Sequence, residues 1–556
     1  MTDAWAAVAA TLADAGCELV VGVPADEPGL LDAAGPVPGL RAVTVRDQRI
    51  GACLATGHTM VSGRPAVLAL TSGPPFPNAL AGLAEAASLC VPLVVVTTRI
   101  PAAGLGRGGF QETDQRSMAA SLAKWHHVVE SAQQLTWAIR RAVHLAVNGR
   151  PGVTIVEVTD EVAQAGSPVP APSRDPVVRR RAAADPGEVR RAAAVLRTAE
   201  RPLMIVGGGV RISEAGGEAL RVAEALGSPV MTTAAGRGTV PESHPLATGL
   251  IGLYATPPLD RLPAEADVVL AIGTRLEETA RMGWPESEHV RLVHIDADPH
   301  VFGQVLEPEA AVLGDPALVL AELAEALRSG PPQPPRTAWR ARIAELDEQV
   351  RAEQRGADPG SSAARTALMM VAEVFGERAT YVHENGLHDI WSYHYPLLPV
   401  GPGTRVVVPG EQTMLGFGLP AAVGAAIALP GDPAVLLCGD GAFAMNLPAL
   451  VTAAEARVGL VILAFDNSGY GWPRHLRALA DEPDEVTRFA VQFPVDDVVR
   501  ALGGTVGEAG PGSDLRAILR TARASAAAGT VALVRVQVGD DDIPPGIARV
   551  MAGHDA

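Results

Sequence analysis

The sequence predicts an α/β protein made of three doubly wound parallel-sheet domains. Three observations carry this. Short β-branched runs alternate with helical patterns along the chain, the mark of βαβ units and parallel sheets. Two proline-rich stretches, 165–186 and 329–336, resist helix and sheet and read as linkers. The 556 residues also exceed what one core usually holds, since domains run at about 100–150 residues. The linkers leave blocks at 1–165, 187–328 and 362–545.

In the first block CELVVGV, AVLAL, PLVVVTT and VTIVEV read as buried strands. In the second PLMIVGGG, VVLAIGT and LVHIDAD stand out, and in the third TYVHENG, AVLLCGDG, GLVILAFDN and VALVRVQV. Several of these runs end in Gly, Asp or Asn. Ligands of open α/β sheets bind beyond the carboxyl ends of strands, so chemistry is expected there. The first and third blocks are alike in style, which suits two related domains facing each other.

Composition narrows the partners. The net charge of −17 argues against nucleic acid or an anionic membrane surface, both of which need a basic face. The N-terminal MTDAWAAVAATLADAG is an acidic amphipathic helix and not a signal peptide. No uncharged apolar run reaches the ~18 residues that span a bilayer. Cys17, Cys53, Cys90 and Cys438 are scattered without zinc spacing and read as reduced thiols. A soluble cytoplasmic protein is expected.

The strongest local signal lies in the third block. Gly439-Asp440-Gly441 directly follows an apolar strand, and Asn467 ends the next one, 27 residues after Asp440. A carboxylate and an amide oxygen at adjacent strand ends can share a hard cation. Mg²⁺ wants such oxygen ligands and usually keeps phosphate oxygens as well. Gly441 lets the backbone approach a phosphate, and the following helix N-terminus favours negative charge.

This pattern resembles the thiamine-diphosphate enzymes, whose fingerprint is GDG followed 27 residues on by the second residue of an Asn-Asn-like pair. Here the pair reads Asp466-Asn467. The resemblance implies Asp440, Asn467 and the Gly469 carbonyl as metal ligands, and contacts to the cofactor from Gly439, Gly441, Ala442, Gly469 and Tyr470. It runs over nearly the whole chain and is nearest to the acetolactate synthase large-subunit and 2-oxo acid decarboxylase branch. VPADEPGLLDA, TSGPPFPNALAGLAEA (with Pro75 and Pro77 where the family has Gly and Thr), GGFQETDQ, KWHHVV, ENGLHDIW and TMLGFGLPAAVGAA all have counterparts there.

The resemblance implies further roles. Leu415 would support the bent cofactor, with the Thr413 carbonyl and Leu415 amide gripping its aminopyrimidine. Gly386, Leu387 and His388 would lie near the diphosphate. Gln111 would face the reacting carbonyl, and Asp26 aligns with an Asp that handles protons in the decarboxylases. Trp472, Arg474 and His475 follow the metal loop where the substrate pocket forms, and Arg474 could bind a substrate carboxylate.

One departure concerns activation. The family pattern is V-R-H-E with Ala and Gly seven and nine residues later. This chain reads VRDQRIGACLATG, so the expected Glu is Gln48. Gln can hydrogen-bond the cofactor N1′ but cannot shuttle a proton at neutral pH. Three readings stay open. The enzyme works with slower activation, as in the glyoxylate carboligase branch that also lacks the Glu. Asp47 takes over, which requires a bulged strand end because neighbours on a strand face opposite ways. Or the chain is a non-catalytic, regulatory homologue.

The middle block carries Gly207-Gly208-Gly209 and Asp296-Ala297-Asp298. The synthase branch binds FAD in this domain, but TTAAGRG and GTRLEETARMGWP diverge from that branch. FAD is therefore not the expectation, and a flavin- or nucleotide-binding oxidoreductase stays a rival. The reading is a thiamine-diphosphate- and Mg²⁺-dependent enzyme acting on a 2-oxo acid, with carboligation to a second carbonyl or aldehyde release. A homodimer or homotetramer with sites between subunits is implied.

Overall fold

The computed structural model describes residues 4–164, 175–284, 290–330, 335–358, 360–401, 403–431, 433–510 and 512–547. Part of each linker lies outside them. Three six-stranded sheets are present, and every strand pair in them is parallel.

The first sheet holds β1 (Leu19–Gly22), β2 (Arg41–Thr44), β3 (Ala66–Leu70), β4 (Leu93–Arg99), β5 (Ala123–Val129) and β6 (Val153–Thr159), in the order β2-β1-β3-β4-β6-β5. The second holds β7 (Pro202–Val206), β8 (Val230–Thr232), β9 (Ala247–Leu250), β10 (Val268–Ile272), β11 (Arg291–Asp296) and β12 (Ala310–Leu313), in the order β9-β8-β7-β10-β11-β12. The third holds β13 (Thr380–His383), β14 (Arg405–Val407), β15 (Ala434–Gly439), β16 (Leu460–Asp466), β17 (Thr505–Ala509) and β18 (Val531–Gln537). Its order, β14-β13-β15-β16-β18-β17, repeats that of the first sheet. The second sheet has the 3-2-1-4-5-6 order of dinucleotide-binding folds.

Central strands are buried on both faces. All of AVLAL in β3 and VTIVEVT in β6 is buried, which is why these strands read as continuous apolar runs instead of alternating ones.

The first and third sheets meet through two helices, α1 (Gln48–Ser62) and α2 (Pro75–Ser88), packed on the third-domain side. A 20-residue helix, α3 (Thr337–Gly356), follows the second linker and packs Trp339, Ile343, Leu346 and Val350 onto the middle domain. Just before it, buried Arg336 donates to the carbonyls of Ala199, Leu226 and Leu196. Beyond it come α4 (Leu387–Tyr393), α5 (Gly418–Ala428) and α6 (Gly471–Leu479).

Helices α1 and α5 cross in backbone contact. A Cβ on Gly57 would lie 2.1 Å from the Ala421 carbonyl oxygen, and one on Gly424 would lie 2.0 Å from that of Leu54. Only glycine fits at either place, and this explains the Gly found nine residues after Gln48. The contact is continuous with one core shared by both domains, including Leu54, Phe76, Leu83, Phe417, Leu419 and Val423. No helix among the described residues is long and apolar enough to cross a membrane.

Candidate functional site

Strands β15 and β16 run side by side, and their carboxyl ends carry Asp440 and Asn467. Alternation along β16 sends Phe465 to one face and Asp466 to the other. On the Phe465 side lies a cavity lined by Gly386, Leu387, His388, Leu415, Gly439, Asp440, Gly441, Ala442, Asn467, Gly469, Tyr470 and Trp472. The structure thus gathers, in one place, residues drawn from four separate sequence segments. Thr413 is the exception: it lines a different cavity, towards the middle domain.

The loop after β16 is tightly built. Ser468 takes a left-handed conformation (φ 55°), and Gly469 N–H donates to Asp440 Oδ2 at 3.2 Å. Arg474 is buried beneath this loop. Its guanidinium donates to the Asn467 carbonyl at 3.1 Å and to Asp540. A Cβ on Gly469 would lie 2.2 Å from the Thr487 carbonyl oxygen, so residue 469 must be Gly. The sequence reading offered Arg474 as a binder of substrate carboxylate. The structure buries it against the turn that presents Asn467 and Gly469, which it braces. Trp472 lines the cavity, whereas His475 does not, and its Nε2 is buried without a partner.

Burial shapes the electrostatics. The Asp440 carboxyl is pushed up to about 7, first by burial and second by the facing carboxylate of Asp466. A cation between Asp440 and Asn467 would relieve that crowding. Among the described residues no three His, Cys, Asp or Glu side chains cluster as a metal site. The expected ligand set has one carboxylate, one amide and one backbone oxygen, so the residues present still fit a hard cation that keeps phosphate oxygens. His388 stacks on Phe465 with ring centroids 6.1 Å apart, and its Nε2 is buried with no protein partner. Burial holds this ring down at about 4, so it is neutral at pH 7. An orphaned ring nitrogen in the wall of a cavity beside backbone glycines fits a polar, anionic ligand.

Behind His388 stands a wall that includes two residues sequence reasoning missed, Asp389 and Tyr393. His383, Asp389 and Tyr393 are fully buried, and each has a polar atom (Nε2, Oδ2 and OH) without a partner. Sequence reasoning also missed Glu85. This buried carboxylate of α2 accepts from the N–H groups of Gly410 and Met414, the latter at 3.2 Å, and so ties the loop carrying Thr413 and Leu415 to the first domain.

The first-domain residues stand apart from this cavity. Asp26 and Gln111 are exposed, and neither they nor Gln48 line it. Asp47 and Gln48 are not at a strand end, as the sequence reading assumed. They begin α1, where Asp47 is the N-cap and accepts from Arg49 N and Ile50 N. That corrects the condition set on Asp47, because strand alternation does not apply at a helix start. Asn78 bridges the two, with Nδ2 at 2.7 Å from Gln48 Oε1 and 3.3 Å from Asp47 Oδ2.

Three family descriptions match this chain. Residues 2–118 match the N-terminal TPP binding domain of thiamine pyrophosphate enzymes, 189–323 their central domain, and 384–536 their C-terminal TPP binding domain. A "Probable acetolactate synthase large subunit" of Methanocaldococcus jannaschii is 31% identical over 445 residues, covering 77% of this chain and 74% of that protein. The chain belongs to the thiamine pyrophosphate enzyme family. The "Acetolactate synthase isozyme 1 large subunit" of Escherichia coli is 27% identical, covering 86% of this chain and 84% of its own length. The "Acetolactate synthase" of Mycobacterium bovis is 29% identical over 85% of this chain and 77% of its own.

The two TPP binding matches cover β1–β4 of the first sheet and β14–β17 with most of β18 in the third, the sheets that share a strand order. The middle sheet falls in the central domain. Its own cavity opens at the reversal of strand order between β7 and β10, where such sheets bind ligands. Gly208, Gly209, Thr233, Gly273, Thr274 and Asp296 line it, and Cys90 and Arg150 reach it from the first domain.

Proposed function

We propose that this protein uses thiamine diphosphate and Mg²⁺ to decarboxylate a 2-oxo acid, and that it joins the remaining fragment to a second carbonyl compound or releases it as an aldehyde. The observation that carries the reading is the convergence of Asp440, Asn467 and Gly469 with His388 on one cavity beyond two parallel strands. Asp440, Asn467 and the Gly469 carbonyl would hold the Mg²⁺, and His388 and the glycine backbone would hold the diphosphate. When bound, the cofactor supplies a carbanion that attacks the 2-oxo carbonyl and an electron sink for the pair released with CO₂. Leu415, 39% exposed at the rim, would support the aminopyrimidine. Trp472 would shape the substrate side. Gln48 would hydrogen-bond N1′ without shuttling a proton, which makes activation slow.

A second copy of the chain would complete the site. Gln48, Asp26 and Gln111 belong to a TPP binding domain but lie off the cavity of their own chain. Phe110 (85% exposed), beside Gln111, is an apolar side chain that such a partner would cover.

Single-turnover measurement of CO₂ release from a panel of 2-oxo acids tests the reading. Release from cofactor-loaded protein is expected. No CO₂ and no covalent adduct would favour a non-catalytic, regulatory binder, the reading motivated by Gln48. A nucleotide in the middle domain is a further reading, supported by the 3-2-1-4-5-6 order and its cavity. An absorbance scan and nucleotide extraction of purified protein check it, and a flavin spectrum would favour FAD.

A further inference from the structure

On the face of β16 opposite the metal cavity sits a second cavity, lined by Asp440, Asp466, Arg535, Asp496 and Phe489 among others. Asp440 lines both cavities. Asp466 is 5% exposed and shares this second cavity with Asp440. It immediately precedes Asn467 and occupies the place where the family fingerprint has a neutral amide. A second carboxylate there can draw the cation away from its seat between Asp440 and Asn467, and it repels a diphosphate.

Arg535 opposes that charge. Register pairs Ala464 with Arg535 and Asp466 with Gln537, so Asp466 and Arg535 are diagonal neighbours on one face of the sheet. Arg535 Nη1 lies 3.1 Å from Asp466 Oδ2. Gln537 Nε2 donates to the same oxygen at 3.4 Å, and Ser468 N–H donates to Oδ1 at 3.1 Å. Arg535 also faces Glu508, with Nη2 at 3.3 Å, and Asp496, with Nε at 3.0 Å in an ion pair by distance that lacks hydrogen-bond geometry. Among the described residues no other cation pairs with Asp466 within 4.0 Å.

We propose that Arg535 is a positioning residue. It holds Asp466 on the far face of β16 and neutralises it, which leaves Asp440 and Asn467 to seat the metal and its diphosphate. The proposal rests on the metal-site reading above.

The test is thiamine diphosphate affinity at saturating Mg²⁺, read by quenching of tryptophan fluorescence, because Trp472 lines the cavity. R535Q is expected to bind at least tenfold more weakly than wild type. D466N alone should change affinity less than threefold. D466N/R535Q should return to within threefold of wild type, although Asp496 and Glu508 still lack their cation. A merely structural role for Arg535 would not be rescued in this way. R535K, which keeps the charge but loses the fork, is expected to lose less than threefold and carries the test if R535Q does not fold. Unchanged binding by R535Q, failure of D466N to restore it, or a tenfold loss in R535K would overturn the proposal. D440A is run alongside. If D440A binds as wild type does, the metal-site reading itself has failed. If only R535Q is silent, Arg535 alone is misassigned.

Discussion

The first and third domains fold their sheets in the same strand order, but they end the equivalent strands differently. In the third, β15 and β16 end in Gly439-Asp440 and Asp466-Asn467. In the first, the equivalent β3 and β4 end in Leu70 and Arg99, and no acid-amide pair follows. The equivalence extends to helices. α1 lies between the second and third strands of its domain, α5 holds the same place in the other, and the two pack against each other at Gly57 and Gly424. The segments leading into them carry Gln48 and Leu415. Topology therefore supplies matched positions, and under the proposed function the residues placed there divide the labour: one domain offers the anion and metal loop, the other an amide at a helix start.

The largest break in this comparison is at Asp440. D440A removes the only carboxylate of the expected ligand set, and Mg²⁺-dependent retention of thiamine diphosphate should be lost. Equilibrium dialysis with and without Mg²⁺ measures it, and unchanged affinity would sink the assignment.

Acid sharpens the comparison next. Burial holds His58 in the first domain, and His388 and His394 in the third, down at about 4. The unfolded chain takes up a proton on each ring near pH 6.5, which the folded chain refuses until about pH 4. Stability is therefore complete above pH 6.5 and falls as pH drops towards 4, by roughly 3 kcal/mol per ring. Melting temperature against pH checks this. The slope should shrink in H58Q and shrink further in H388Q/H394Q, since two rings are then removed instead of one.

The seam between the domains comes third. Gly57→Ala puts a methyl 2.1 Å from the Ala421 carbonyl oxygen, with backbone on both sides. The helices must separate, at a cost of about 3 kcal/mol. Chemical denaturation measures it. A neutral substitution would mean that α1 and α5 do not cross this closely.

What the sequence made legible follows the same physics. Central strands such as β3, β15 and β16 are buried on both faces and read directly as apolar runs. Edge strands are harder to see. β2 (RAVT), β14 (RVV) and β17 (TVGEA) each have at least one exposed residue and lack such a run, and none was picked out. The proposed metal-site residues stood out because Asp440 and Asn467 each follow an apolar strand. Arg474, Arg535, Glu85 and Asn78 were not, because their roles come from partners far away in sequence. Arg474 looked available until its burial under the metal loop was seen. Asp47 and Gln48 were placed at a strand end, whereas Asp47 is the N-cap of α1.

The smallest expected effect tests the division of labour itself. Gln48 Oε1 accepts from Asn78 at 2.7 Å, which leaves the amide Nε2–H₂ as the group free to meet N1′. An amide donor can hold N1′ but gives it no proton, whereas a carboxyl can do both. Asn78 can donate equally well to a carboxylate, so Q48E keeps the local hydrogen bond while restoring a transferable proton. Exchange of the cofactor C2 proton, followed by NMR after quenching, should speed up by about tenfold, equivalent to ~1.4 kcal/mol of barrier. Cofactor affinity should hold, because the metal site in the other domain is untouched. A faster exchange at constant affinity would separate activation from retention, one in each of the two domains. If exchange does not change, residue 48 does not touch N1′, and the first domain contributes its helix start as scaffold alone.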